Sequence, residues 1–373
     1  MLDAGETLLA DHTTLRLGGH ARRVLIATDR HDVVQAVRDT EAAAEPLLLL
    51  AGGSNVVIAD EGFPGTALLI RSTGIGPGDG IGPAGGATSL SGTGIRPAAD
   101  GDGELVTIEA GAIWDEVVQF CLAEGLSGVE CMSGIPGSAG GTPIQNVGAY
   151  GHEIAELLDS VEVYDRHRGE VVRMAPGDCR LGFRTSVFKR ADRYIVLAVT
   201  LRLQRSPLSA PVQYAELATA LGARTGDRVP AEEVRSAVLK LRAGKGMVLD
   251  PADPDTWSVG SFFANPLVPL AGYPNVAARA QARAGGSPPH WPYGPDAVKV
   301  SAAWLIERAG FGKGYRGQHR GVAISTKHTL ALTNLGGGST AALLGLAREI
   351  REGVRDAFGV TLEPEAVLVG CEL

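Results

Sequence analysis

Residues 135–151, IPGSAGGTPIQNVGAYG, hold five glycines and two prolines in seventeen positions and show neither the 3.6-residue repeat of a helix nor the alternation of a strand. So long a stretch without periodicity inside a compact domain demands a reason, and the usual one is function. Glycines let the main chain approach a large flat ligand closely, and its N–H groups supply donors to an anion. The rest of the chain must then be a scaffold that holds this loop.

Composition allows such a scaffold. With 373 residues, 45% hydrophobic and 20% charged, the chain can bury a large core without disulfides or metals, and a mostly disordered chain is excluded. The net charge of −8 argues against a general nucleic-acid surface. No apolar run approaches the ~20 residues that span a bilayer. The start, MLDAGETLLADHTTLRLGG, has no basic head before an apolar stretch, so a cytoplasmic location is expected. Cys121, Cys131, Cys179 and Cys371 lack CxxC spacing and read as buried reduced thiols.

Short aliphatic runs at 24–27, 47–50, 56–59 and 67–70 surround a helix predicted over 32–44, a small α/β unit. Residues 74–103 collapse into Gly, Pro, Ala, Ser and Asp and read as a surface insertion. A strand at 105–109 leads into a helix with Ile113, Val117, Cys121 and Leu122 on one face and Gly125 after it. Further strands are read at 160–164, 170–174 and 194–203, and Arg205-Ser206-Pro207 marks a boundary. Beyond it come a helix after Pro230, another over 302–309, strands at 322–325 and 330–333, and a helix from 339 or 340 to 358 whose Leu343, Ala347, Ile350, Val354 and Phe358 form one stripe before Gly359. The fold class is mixed α+β, in two or three domains.

Two glycine motifs are decoys. Gly74-Ile75-Gly76-Pro77-Gly78 is followed by no apolar helix, so it lacks the helix N-terminus that a dinucleotide fingerprint needs. Gly312-Lys313-Gly314 lacks the P-loop's upstream glycine and following hydroxyl, and reads as a turn. No metal motif occurs. Ala51-Gly52-Gly53-Ser54-Asn55, between two buried-strand runs, fits an anion nest and an ordinary tight turn equally. Arg184, Ser261 and Glu365 are chemically suggestive, Ser261 because Phe262 and Phe263 would dry its surroundings. Taken singly, a surface arginine, a capping serine and a surface glutamate are the stronger readings, and spacing does not show that the three meet.

Seven segments in order carry a more specific signal: AGGSNVV (51–57), IPGSAGGTPIQNVGAYG (135–151), CRLGFRTSVF (179–188), GSFFANP (260–266), SAAWLIERAG (301–310), STKHTLALTN (325–334) and LEPEAV (362–367). With them the chain resembles, over nearly its whole length, the UDP-N-acetylenolpyruvoylglucosamine reductase (UDP-N-acetylmuramate dehydrogenase) family, flavoenzymes of peptidoglycan precursor synthesis. The resemblance implies a two-part FAD-binding domain of the vanillyl-alcohol-oxidase type over 1–205, carrying the insertion at 74–103. It implies an α+β substrate-binding domain over 206–373 whose last residues return to the first part. Gly53, Ser54 and Asn55 would cradle the FAD pyrophosphate, and Ile135, Gly137, Ser138, Gly141, Asn146 and Gly148 would line the flavin. Tyr214, Lys245 and Asn265 match substrate-contacting positions, Lys245 at the diphosphate. The FAD is expected to be held non-covalently rather than through His152.

The reaction so implied has NADPH reduce FAD and then leave, after which the enolpyruvyl ether of UDP-N-acetylglucosamine enters the same cleft and accepts the hydride. A flavin bridges two substrates that are not present together. Charge builds on the carbon alpha to the carboxylate. By resemblance Arg184 and a protonated Glu365 stabilise it, and Ser261 delivers the proton. The partners expected are these small molecules, with no nucleic acid, no membrane and a monomeric enzyme. The rival readings are a flavin oxidase of another alcohol or sugar, which would consume O₂, and a colourless sugar-nucleotide binder. Two departures stand out: Ala264 where relatives often carry Lys, and Phe183 where Tyr is commoner.

Overall fold

A computed structural model describes residues 1–76, 95–98 and 103–373. The central part of the Gly-rich insertion, 77–94 and 99–102, lies outside the described residues. The stretch is not loop throughout: Ile75–Gly76 and Ile95–Pro97 are short strands, both antiparallel to Glu104–Glu109. The chain divides into two compact units, Met1–Thr7 with Ala21–Gly52 and Pro64–Gly244, and Leu8–His20 with Gly53–Phe63 and Lys245–Leu373. Residues 206–244 thus pack with the first unit, and Gly53–Phe63 with the second.

In the first unit a small sheet runs in the order Leu2–Leu8, His20–Ala27, Phe63–Ile70, Leu47–Leu50, with the last pair parallel. The helix Arg30–Ala42 connects His20–Ala27 to Leu47–Leu50, and Asp29 caps it by accepting the Asp32 N–H at 2.7 Å. The larger sheet centres on Tyr194–Arg205, antiparallel to Leu158–Asp165 on one side and Glu104–Glu109 on the other. Residues 195–201 are buried without a break, which is why they read as a continuous apolar run rather than an alternating one. The helix Trp114–Ala123 packs into the same core, and the Trp114 Nε1–H donates to Met132 O at 3.0 Å. Ile113, placed by periodicity on its apolar face, instead precedes the helix and is exposed.

The second unit is built on the helix Thr340–Phe358. Ser339 caps it by accepting the Ala342 N–H at 3.1 Å, Gly359 ends it in the left-handed conformation, and its apolar stripe is wholly buried. The helices Tyr273–Ala284 and Ala302–Ala309 pack on it. Val322–Ile324 pairs with Leu332–Asn334, and the terminal strand Val367–Val369 runs parallel to Val56–Ile58. Within this unit the terminal strand thus pairs with one from early in the chain.

Candidate active site

The first unit fixes the long glycine loop by setting backbone directly on backbone. Ala139 N–H donates to Ala112 O and Gly140 N–H to Ala110 O, both at 2.9 Å, and Trp114 N–H donates to Gly137 O at 3.1 Å. A Cβ on Gly52 would lie 2.4 Å from Gly137 Cα, so two glycine motifs 85 positions apart touch where Gly52 has no room for a side chain. The loop's entry is tied down electrostatically. Asp115 accepts the Gly134 N–H at 2.6 Å while Arg235 grips its carboxylate at 2.7 and 2.8 Å. That guanidinium and the Gly134 N–H hold the Asp115 carboxyl below its usual range.

The far end of the loop is strained and meets Arg184. Asn146, Tyr150 and Arg184 all have positive φ, at 46°, 52° and 52°, a conformation that non-glycine residues adopt at a cost and that clusters at working sites. Asn146 is buried. Its amide donates to Glu153 Oε2 at 2.6 Å and Gly182 O at 3.2 Å, and its Oδ1 accepts from Ala155 N–H at 3.1 Å. It thereby joins the loop to the turn closed by the Gly182–Thr185 backbone pair. From that turn the Arg184 Nη2 lies 3.4 Å from Gly148 O. Tyr214, exposed at the start of the helix Ala215–Leu221, stacks edge-on with Tyr150 at 5.7 Å between centroids. Tyr150, within the 135–151 motif but not among its expected ligand contacts, and Arg242, outside every motif, are further functional candidates. Burial pushes the Tyr150 hydroxyl up and the Arg242 guanidinium down, and the two interact. Only the Arg242-x-x-Lys245 spacing hints at the arginine.

His152, a histidine position on which covalent flavin chemistry could have rested, is buried with both ring nitrogens engaged, Nδ1 with Glu156 Oε2 at 2.8 Å and Nε2 with Pro211 O at 2.9 Å. It is a structural histidine. Burial pushes the Cys121 and Cys131 thiols up to about 12 and Cys179 up to about 11, so these are packing groups rather than nucleophiles.

The second unit holds the remaining residues. Gly53 has φ +59°, and a Cβ there would lie 2.0 Å from His12 O. Ser54 and Asn55 come next, half-buried, and Asn55 O accepts the Val367 N–H at 3.0 Å. The segment after Gly260 pairs with the chain end: Glu365 N–H donates to Phe262 O at 2.8 Å, Ala264 N–H donates to Glu363 O at 3.1 Å, and Phe263 bridges Pro364. Ser261 and Glu365 are thus brought onto neighbouring backbones, each half-buried, beside the fully buried and edge-stacked Phe262 and Phe263. Asn265 Oδ1 accepts the Ala302 N–H at 2.9 Å and so helps start a helix. Lys245 opens this part of the unit, half-buried.

A tight glycine turn with a half-buried hydroxyl and amide offers an anion such as a pyrophosphate donors rather than countercharge. The model of an FAD binding domain matches residues 21–175, and that of the C-terminal domain of UDP-N-acetylenolpyruvoylglucosamine reductase matches residues 251–369. A reductase of that name from Salinispora arenicola is 54% identical over 369 residues, covering 99% of this chain and 96% of its own length. The chain belongs to the UDP-N-acetylenolpyruvoylglucosamine reductase family. The Thermobifida fusca reductase is 49% identical across 98% of this chain and 97% of its own length. The crystal structure of the Thermus caldophilus reductase, 24% identical, superposes with a TM-score of 0.62 over 98% of both chains and shows the same fold. Membership makes the chain an FAD-containing oxidoreductase with the family's two-domain α+β architecture. Among the described residues no helix is long and apolar enough to cross a membrane.

Proposed function

We propose that Ser261, Glu365 and Arg184 carry the chemistry by which this reductase converts the enolpyruvyl ether of UDP-N-acetylglucosamine to UDP-N-acetylmuramate for peptidoglycan synthesis, with NADPH as reductant. Bound FAD supplies the hydride store that separates the two half-reactions. The protein's own residues manage charge and proton. A hydride arriving at the terminal vinyl carbon leaves negative charge on the carbon alpha to the carboxylate. Arg184 stabilises that charge, and Glu365 in its protonated form donates a hydrogen bond to it. Ser261 then protonates the alpha carbon. A hydroxyl is a feeble acid in water, so it needs the dry wall that Phe262 and Phe263 provide. Gly53, Ser54 and Asn55 hold the pyrophosphate, the 135–148 loop lines the flavin, and Tyr214, Lys245 and Asn265 hold the substrate. The substrates are soluble nucleotides, which accords with a monomeric enzyme in the cytoplasm.

The pairing of the Ser261 segment with the Glu365 segment supports this reading, since it sets on neighbouring backbones two residues that the sequence leaves far apart. Ser261→Ala tests it. Stopped-flow absorbance at the flavin band should show reduction by NADPH nearly intact and reoxidation by the enolpyruvyl substrate slowed by ~10³ or more. An unimpaired oxidative half-reaction would remove Ser261 from the mechanism.

A further inference from the structure

We infer that Thr14 is a positioning residue that ties the Gly53 turn to the segment carrying Ser261, an inference that rests on the reading of Ser261 as proton donor. Thr14 is buried, and its backbone and side chain face two different parts of the site. Its N–H donates to Gly53 O at 3.1 Å. Its hydroxyl donates to Ser258 O at 2.7 Å and lies 3.5 Å from Gly53 O. Ser258 is itself buried and directs the backbone toward Ser261, because its Oγ accepts the Gly260 N–H at 3.1 Å, one residue before that serine. One side chain therefore spans from the turn assigned to the pyrophosphate to the stretch that aims the acid.

The neighbours of Thr14 reinforce the same tie. Asn334 donates through Nδ2 to Leu15 O at 3.2 Å and Arg16 O at 3.1 Å, while its own N–H donates to Trp257 O at 3.0 Å. The Arg16 guanidinium lies over the Trp257 ring at 3.9 Å. Residues 14–16 are thus fastened to 257–258 by backbone, amide and cation–π contacts, and Thr14 alone among them also bonds to Gly53. Carbon protonation by a weak acid is sensitive to distance, and a misplacement of about 1 Å can slow a reaction about a hundred-fold. Loss of the hydroxyl also strands the buried Ser258 carbonyl, which the segment can relieve only by moving.

Thr14→Val keeps the shape and the N–H to Gly53 but removes the bond to Ser258; Thr14→Ser keeps both. For T14V we expect flavin reoxidation by the enolpyruvyl substrate to slow about ten-fold. Reduction by NADPH and the FAD dissociation constant, read from flavin fluorescence on the apoprotein, should stay within about three-fold of the parent. T14S should restore reoxidation. Because Thr14 acts through Ser261, T14V should add little in an S261A background. A slow S261A beside an unimpaired T14V overturns the role of Thr14 alone; an unimpaired S261A overturns the serine's role and this inference with it. A T14V protein that slows both half-reactions equally, or that no longer binds FAD, overturns the inference as well, since the hydroxyl then serves the fold as a whole.

Discussion

The glycine loop of the first unit and the Ser261–Glu365 strip of the second are both proposed to serve a ligand, yet they are held by opposite means. The loop is fixed by the absence of side chains: Gly52 lies on Gly137, Gly140 lies on Ala110, and main-chain bonds do the rest. The strip is fixed by a relay of named groups, from Thr14 through Ser258 to Gly260 and from Phe262 to Glu365. A surface that only has to fit a flat cofactor needs shape and donors. A site that has to move one proton onto one carbon needs side chains at set distances, and these need props. Substitutions should therefore fail differently in the two regions, by steric exclusion in one and by graded loss of alignment in the other.

The sharpest break in this contrast is Gly52→Ala. Its new methyl would meet Gly137 backbone on a surface that cannot yield, which costs roughly 1–3 kcal/mol and displaces the loop. Protein purified from this variant should carry little flavin by absorbance; full flavin content would show that the loop is adaptable. A middle-sized effect is expected for Lys245→Ala, with KM for the enolpyruvyl substrate raised about ten-fold for one lost charge-assisted contact and kcat little changed. A kcat fall at constant KM would move Lys245 from binding into the chemistry.

The smallest effect tests the electrostatic anchor of the loop. Asp115→Asn should cost about 1 kcal/mol at pH 7 in denaturant unfolding, at the low end for a charged hydrogen bond because the carboxylate is a third exposed. The Asp115 carboxyl is depressed in the folded protein, so its stabilisation is complete above its unfolded value and is lost as pH falls through the folded one. The gap between parent and D115N should thus be full at neutral pH and close below about pH 4. A gap that widened in acid would contradict the assigned pairing.

Legibility tracks the strength of local periodicity. The helix Thr340–Phe358 is readable to within a residue, because its stripe, serine cap and terminal glycine all agree. Tyr273–Ala284 is hidden in the sequence because it buries only the small residues Val276 and Ala280 on that face, and Leu2–Leu8 because it lies mostly exposed and shows no alternation. In the site, motif order singles out Arg184, Ser261 and Glu365, whereas Thr14 belongs to none of the segments that carry the resemblance. Asn146 is expected at the flavin, and in the structure its amide donates to Glu153 and Gly182 and accepts from the Ala155 N–H.

The sequence by itself determined which residues could not carry bulk, which stripes had to be buried, and what chemistry the ordered motifs belong to, since glycine spacing and apolar periodicity act over a few neighbours. Tertiary structure alone decided that Gly52 would rest on Gly137, that Phe262 would receive Glu365, and that Thr14 would bridge Gly53 and Ser258. Those contacts join positions tens to hundreds of residues apart, and their energy exists only once the core has brought the backbones within hydrogen-bond reach.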